Sequence, residues 1–250
     1  GYDENGNIIY ELINGNGKVK EYYINDILYF EGEYLNGKKN RKGKEYNLGK
    51  LEFEGEYLNG KRNGKGKEFY YHGKLYFEGE YLNGERNGKG KEYDANGKLK
   101  FEGEYLNGKK WNGKGYNPDS KLIYELKEGK GKIKEYDTDG YLIFEGEYLN
   151  GEKNGTGKEY KYEGSFVFEG EYLNGKRHGK GKKYNYNSGI VFEGEYYYGN
   201  KWNIRYYYGL NNIVCELKNG KGLIQKYHTN GNLKFDGEYL NGKKNGRGKK

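Results

Sequence analysis

Phe53-Glu-Gly-Glu-Tyr-Leu-Asn-Gly-Lys-Arg-Asn-Gly-Lys-Gly66 is the stretch that decides the fold. Its first eight residues recur from Phe30, Phe77, Phe101, Phe144 and Phe168, with variants from Phe192 and Phe235. Three degenerate copies, Tyr10-Glu-Leu, Tyr124-Glu-Leu and Cys215-Glu-Leu, fill the gaps in the register. The result is eleven units, starting near 10, 30, 53, 77, 101, 124, 144, 168, 192, 215 and 235 and spaced 20 to 24 residues apart. A period of this size marks an array in which each unit buries its apolar face against its neighbours. Residues 1–250 therefore read as one repeat array. Both ends fall inside a unit, so the chain is expected to be part of a longer array.

Within one unit, Leu99-Lys-Phe-Glu-Gly-Glu-Tyr-Leu106 alternates with period two. Leu99, Phe101, Gly103 and Tyr105 share one face of a strand, and Glu102 and Glu104 share the other. Asn59-Gly60-Lys-Arg-Asn-Gly64 supplies residues that tolerate positive φ, after which Lys65 to Phe69 resumes extended character. One unit is thus a β-hairpin. A second punctuation, such as Asp94-Ala-Asn-Gly97 or Asp137-Thr-Asp-Gly140, turns the chain into the next unit. The expected fold is all-β: an elongated array of about eleven stacked antiparallel hairpins, some twenty-two strands, forming a twisted, open-ended sheet. The glycine between Phe and Tyr leaves room for neighbouring rings.

Composition agrees with a thin, aromatic core. The chain has 45 Gly and 32 Tyr, and 18% of its residues are aromatic. Disordered chains of similar polarity are poor in aromatics. A single cysteine, Cys215, excludes an internal disulfide framework and stands where other units have Phe or Tyr, which makes it a packing residue. No apolar run approaches the ~20 residues of a membrane-spanning helix. The expected location is the cytoplasm, with a peripheral place at a membrane as the alternative. The net charge of +8 is patterned: acids sit in Glu-Gly-Glu, and bases sit at the hairpin tip and in the return strand.

Catalysis needs groups that converge, and the chain spreads its three histidines, His72, His178 and His228, over separate units. His178 stands where other units have Asn63 or Asn87, a turn position. Ser120, Ser165 and Ser188 fall between units and lack a nucleophile-elbow context. No catalytic, cofactor-binding or metal residue is expected. The Glu54/Glu56 and Glu169/Glu171 pairs could in principle hold calcium, but lateral pairing with Lys65 and Lys67 and their equivalents is the favoured reading. The Gly-x-Gly sequences lack the strand-to-helix context of a phosphate loop. The candidate contact surface is a basic edge of Lys38, Lys39, Lys61, Arg62, Lys109, Lys110, Lys176, Arg177, Lys243 and Lys244, diluted by Glu85 and Glu152. It suits an acidic phospholipid surface; solvated lysines are also an ordinary protection of sheet edges. Nucleic acid is disfavoured because the aromatics are committed to the inner face. The units bearing Trp111 and Trp202, the first of which also holds Pro118, precede the short units and are candidate joints.

Phe53 to Gly66 resembles the MORN repeat (membrane occupation and recognition nexus), whose pattern is aromatic-x-Gly-x-aromatic-x-x-Gly-x-x-His/Asn-Gly-x-Gly. Phe168 to Gly181 follows it with His178 at the histidine position. The sequence departs from the pattern in having Tyr in place of the usual Trp after the first Gly, and in its three short units. The Asn-Gly-Lys-Leu before several cores is similar to the YwqK-type second variant, found in antitoxin-annotated proteins. The resemblance implies a non-catalytic scaffold or protein-interaction module. It implies, as alternatives, binding to acidic phospholipid through the basic tips, a regulatory array of a larger enzyme such as a phosphatidylinositol phosphate kinase, or an antitoxin-like protein.

Overall fold

The structure is a computed structural model that describes residues 1–2, 6–23, 26–137, 139–161, 165–185, 189–208, 212–227 and 232–249. Every regular element among them is a strand. There are 21 strands in place of the expected twenty-two or so, arranged in three antiparallel sheets whose spatial order follows the chain. The first sheet has 10 strands, from Gly17–Tyr22 to Leu122–Leu126. The second has 8, from Gly131–Tyr136 to Asn212–Leu217, and the third comprises Gly222–Tyr227, Leu233–Leu240 and Lys243–Lys249. The chain forms two compact units, Gly1–Gly129 and Lys130–Lys250.

The expected single sheet is therefore divided. The breaks fall in the tight hairpins of two short units, between Leu126 and Gly131 and between Leu217 and Gly222. They do not fall at Trp111, Pro118 or Trp202: Trp111 lies in a strand, Lys109–Tyr116, that pairs on both sides. Trp111 and Trp202 instead accept, through their carbonyls, the Gly129 and Gly220 amides of the following tight turns, at 2.7 and 2.8 Å. The Pro118 carbonyl accepts from Lys98 Nζ at 2.6 Å.

The full hairpins close through Asn-Gly with both residues at positive φ, as at Asn59 (52°) and Gly60 (87°), except the one closed by Tyr198 (45°) and Gly199 (85°). Two such residues give the two-residue turn whose twist matches that of its strands. The tips are joined along the array, because the Gly60 amide donates to the Lys39 carbonyl and the Gly84 amide to the Arg62 carbonyl, each at 2.8 Å. Between units, Asp94 accepts the amides of Asn96 and Lys98 at 2.9 and 2.8 Å, and Asp137 does the same for Asp139 and Tyr141. These are the turns expected from Asp94 and Asp137.

The core is one ring deep. Phe30, Phe53, Phe77 and Phe101 have no exposed surface in the first unit, nor does Phe168 in the second. Phe30, Phe53, Phe77 and Phe168 are each edge-on to the tyrosine of their own strand and to that of the next unit, Phe53 meeting Tyr57 at 5.7 Å and Tyr81 at 5.3 Å, at 86° and 84°, and Phe101 is edge-on to Tyr105. Such edge-to-face pairs contribute about 0.5 to 1.5 kcal/mol beyond their buried area. The rings lie on glycine. A Cβ on Gly66 would stand 2.6 Å from two Phe53 ring carbons. A long basic side chain lies over the remaining face, as Arg62 Cζ does 4.0 Å from the Phe53 centroid.

Candidate functional site

Two faces of the sheet carry different chemistry, and register assigns residues to each. Gly55 pairs with Gly43 and Gly66, so the glycines form a row, while Glu54 pairs with Lys44 and Lys67. Lys42 faces Glu56, Lys65 faces Glu80, Lys67 faces Glu78 and Lys89 faces Glu104. On the face away from the aromatics, the first unit thus has a glycine-floored trough of about 1240 Å³. Its lining includes eight lysines and eight glutamates, in rows that alternate in sign from strand to strand, so its net formal charge is zero.

In several Glu-Gly-Glu pairs both glutamates have fixed partners. The first accepts a tyrosine hydroxyl from the end of the return strand: Tyr46 to Glu31, Tyr93 to Glu78, Tyr160 to Glu145 and Tyr184 to Glu169, each at 2.7 Å. The second accepts a backbone amide at the bulge after the tip: Lys65 to Glu56 at 3.0 Å, Lys89 to Glu80 at 2.9 Å and Lys180 to Glu171 at 3.1 Å. Lysines complete the rows, with Lys44 Nζ 3.8 Å from Glu31 and Lys182 Nζ 3.5 Å from Glu193. Among the described residues no group of three or more His, Cys, Asp or Glu side chains could hold a metal ion.

The ten basic-edge candidates divide into two sets. Lys38, Lys61, Lys109, Lys176 and Lys243 are exposed at the tips. The second member of each pair is folded back over a phenylalanine. Lys39 Nζ lies 3.9 Å from the Phe30 centroid, Arg62 Cζ 4.0 Å from Phe53, Lys110 Nζ 4.9 Å from Phe101, Arg177 Cζ 3.8 Å from Phe168 and Lys244 Nζ 4.1 Å from Phe235. These cations are lids on the core. Arg86 does the same over Phe77 at 4.0 Å.

A third glutamate, absent from the sequence reading, anchors the lids. Glu68 accepts from Arg86 Nε and Nη2 at 2.9 and 2.7 Å and from the Tyr81 hydroxyl. Glu159 likewise takes Arg177 Nε and Nη2, at 3.0 and 2.6 Å, and the Tyr172 hydroxyl at 2.6 Å. Burial alone would raise the Glu68 pKa, but the Arg86 hydrogen bond and charge and the Tyr81 hydroxyl hold it below the usual carboxylate range. Glu92, the most deeply buried, is held down in the same way by Lys110, 3.1 Å away, and by Lys100 and Arg86. The signal was present as a nearly regular spacing: 13 residues from Glu68 to Tyr81 and 18 to Arg86, with Glu45 and Arg62 17 apart.

His178 takes a structural place. Its Nδ1 faces the Tyr198 amide at 3.4 Å, as Asn63 Oδ1 faces the Asn83 amide at 3.3 Å. His72 stacks on Tyr70 at 5.3 Å in an inter-unit turn. Ser120 is in a turn at φ 62° and Ser165 opens the strand Ser165–Leu173, whereas His228 and Ser188 lie outside the described residues. Cys215, partly buried, packs against the second unit's core. No helix of the described residues is long and apolar enough to cross a membrane.

The family model for the MORN repeat matches six segments, residues 30–47, 53–73, 77–98, 144–166, 168–189 and 235–250. A comparison with curated proteins returns no match. Two solved structures, TcdB2-TccC3 without its hypervariable C-terminal region and TcdB2-TccC3-TEV, are each similar at 13% identity with a TM-score of 0.20. They cover 88% and 89% of the chain, and the chain spans 12% of the length of each.

Proposed function

Because the chain belongs to the MORN-repeat family, we propose that it is a non-catalytic scaffold that binds a protein partner along the charged trough. The observation that carries this reading is the trough itself: equal numbers of lysines and glutamates in sign-alternating rows over a glycine floor. A uniform polyanion, whether nucleic acid or an anionic bilayer, meets repulsion from every second row. A protein segment carrying both signs does not. Adjacent strands lie about 4.8 Å apart, so side chains of one sign recur about every 10 Å along a row. An extended segment with charges of both signs at that interval satisfies the rows, and electrostatic complementarity of this kind fixes register more than affinity.

The test is calorimetric titration of the chain with a mixed Lys/Glu peptide, poly-glutamate and anionic vesicles. Tighter binding of the mixed peptide, weakened by Lys65→Gln with Lys67→Gln, supports the reading. Equal or better binding of poly-glutamate defeats it.

A second reading is peripheral binding to acidic phospholipid through the tips. It is favoured by a specific pairing: each exposed tip lysine sits opposite an exposed leucine in Leu35/Lys38, Leu58/Lys61 and Leu106/Lys109. Such tips offer an apolar group to the acyl boundary and a cation to the headgroups. Folding the second basic residue onto the core halves the charge available to this edge. Salt-sensitive sedimentation with anionic vesicles, lost in the triple variant Lys38→Gln, Lys61→Gln, Lys109→Gln, is the expected outcome; sedimentation unchanged by the substitutions counts against it.

A further inference from the structure

The hairpin of strands Ile190–Tyr197 and Asn200–Tyr208 has a sister in the first unit, formed by Leu99–Leu106 and Lys109–Tyr116. Both carry a tryptophan at a bulge. Lys201 pairs with Tyr196 and Asn203 with Glu195, which leaves Trp202 without a facing residue, and Trp111 is skipped in the same way between Lys110 and Asn112. A bulge re-aims the side chain it carries. Around the tryptophan the two tips differ: where the first has Asn87, Leu106 and Asn107, the second has His178, Tyr197 and Tyr198. The three differences converge on one cluster. Tyr197 lies 5.5 Å from Trp202, 4.8 Å from Tyr198 and 5.6 Å from His178, and His178 lies 4.9 Å from Tyr198, between ring centroids.

The first unit closes its tip without these rings, so the turn does not require them. Tyr198 is unfavourable for it: its φ is 45°, a left-handed conformation that asparagine adopts readily, as at Asn107 and Asn174 (both 48°), and that strains a bulky side chain. Unlike the core rings, Tyr197 and Tyr198 are 52% and 46% exposed, and His178 and Trp202 are half-buried. An exposed aromatic cluster on strained backbone marks an interaction site. Each polar group of the four rings is able to donate. The Tyr198 amide donates to His178 Nδ1 at 3.4 Å, which puts the ring proton on Nε2. The Trp202 indole is a donor only, and neither it nor the hydroxyls of Tyr197 and Tyr198 has a hydrogen-bond partner among the described residues. Lys176 borders the cluster, its Cβ 4.0 Å from where a Cβ on Gly199 would stand; the sister tip has Glu85 there.

We propose that His178, Tyr197, Tyr198 and Trp202 form the docking site for a proline-rich segment of a partner protein. Charge selects a neutral occupant: Lys176 repels a cation, and Glu195, exposed two residues before Tyr197 on the same strand face, repels a phosphate chain. Hydrogen bonding selects among neutral ones. A polyproline II segment has no internal hydrogen bonds and proline has no N–H, so it presents carbonyl acceptors to these donors and brings no donor to be left unmet. A sugar brings a hydroxyl donor with every acceptor. The pyrrolidine rings lie against aromatic faces, whose negative charge attracts their C–H groups. The segment is also preformed, so a shallow site loses little of its binding energy to ordering. The cluster lies in Lys130–Lys250, whereas the trough and the Leu/Lys tips of the two readings above lie in Gly1–Gly129, so it rests on neither.

The test is a fluorescence titration of the full chain carrying Trp111→Phe, which leaves Trp202 as the reporter, with a decaproline peptide. A Gly/Ser peptide of equal length, cellohexaose, oligothymidylate and anionic vesicles are titrated in parallel. A saturable change in Trp202 emission is expected with decaproline, at lower concentration than with any other probe. Tyr197→Leu with Tyr198→Asn restores the sister tip and relieves the left-handed tyrosine. This double variant is expected to melt at the same or a higher temperature and to bind decaproline about tenfold or more weakly. A purely structural role for the rings does not pair retained stability with lost binding. No saturation with decaproline, an equal or tighter response to another probe, or undiminished binding by the double variant overturns the proposal.

Discussion

Replacing Gly66 by alanine tests whether the glycine row exists for the rings or for the backbone. The added Cβ would stand 2.6 Å from Cε2 and Cζ of Phe53 and 3.1 Å from Cε2 of Tyr81. Ordinary carbon contacts are about 3.5 to 4.0 Å, so the ring must retreat by about 1 Å. It has nowhere to go. Phe53 has no exposed surface, Arg62 lies 4.0 Å over it, and Tyr81 abuts it at 5.3 Å. Overpacking of this kind costs about 1 to 3 kcal/mol, and alanine returns about 0.4 to 1 kcal/mol by restricting the unfolded chain. The expected net loss is about 1 to 2 kcal/mol. Urea unfolding followed by far-ultraviolet circular dichroism measures it, and a cycle with Phe53→Leu assigns it. Leucine lacks the two clashing ring atoms, so Gly66→Ala in that background should cost close to nothing, a coupling of about 1 kcal/mol or more. Gly60→Ala is the control: nothing lies within 4 Å of its Cβ, but φ is +87°, so its cost is backbone strain alone and should be independent of Phe53. An equal cost for Gly66→Ala in both backgrounds refutes the ring argument.

Arg86→Ala should destabilise by about 2 to 3 kcal/mol, because it uncovers Phe77 and leaves Glu68 with one of its two anchors, while Lys61→Ala at the exposed tip should change stability by less than about 0.5 kcal/mol; parallel urea titrations compare them. His178→Asn should be neutral within about 0.5 kcal/mol, since Asn63 makes the equivalent contact, whereas His178→Ala should cost about 1 kcal/mol; a large loss of stability in the Asn variant would contradict the turn role. Stability against pH should form a plateau bounded by two sets of groups. Glu68, Glu92 and Glu159 titrate lower in the folded chain, so their contribution is complete above the unfolded value of about 4.3 and is lost as pH falls through the folded values. Tyr46, Tyr93, Tyr160 and Tyr184 are pushed up to about 12 by burial and by the glutamates they donate to. Their contribution is complete below the unfolded value of about 10 and is lost as pH rises toward the folded one. Melting temperatures measured from pH 3 to 12 test both edges, and a flat profile below pH 4 would remove the carboxylate anchors from the argument.

The hairpins and the face carrying Phe101 and Tyr105 were legible in the sequence because each is a local property. Period two assigns side chains to faces, and Asn59-Gly60 and Asp94 carry turn chemistry within four residues. The pairing of Glu54 with Lys67 was also within reach, since both lie on the strands of one hairpin. The fates of Arg62 and Lys61 were not. As neighbours in a basic tip they read alike, yet one is a lid on Phe53 and the other is solvated.

What the sequence determined by itself is the repeating part: a chain of hairpins, each burying one phenylalanine and one tyrosine on a glycine row. Tertiary structure decided how the charges are used. A lid is made when a glutamate on one strand, a tyrosine 13 residues on and a base 18 residues on meet over a ring that belongs to none of those three residues. That meeting depends on register across two turns and a bulge, which composition and period do not encode.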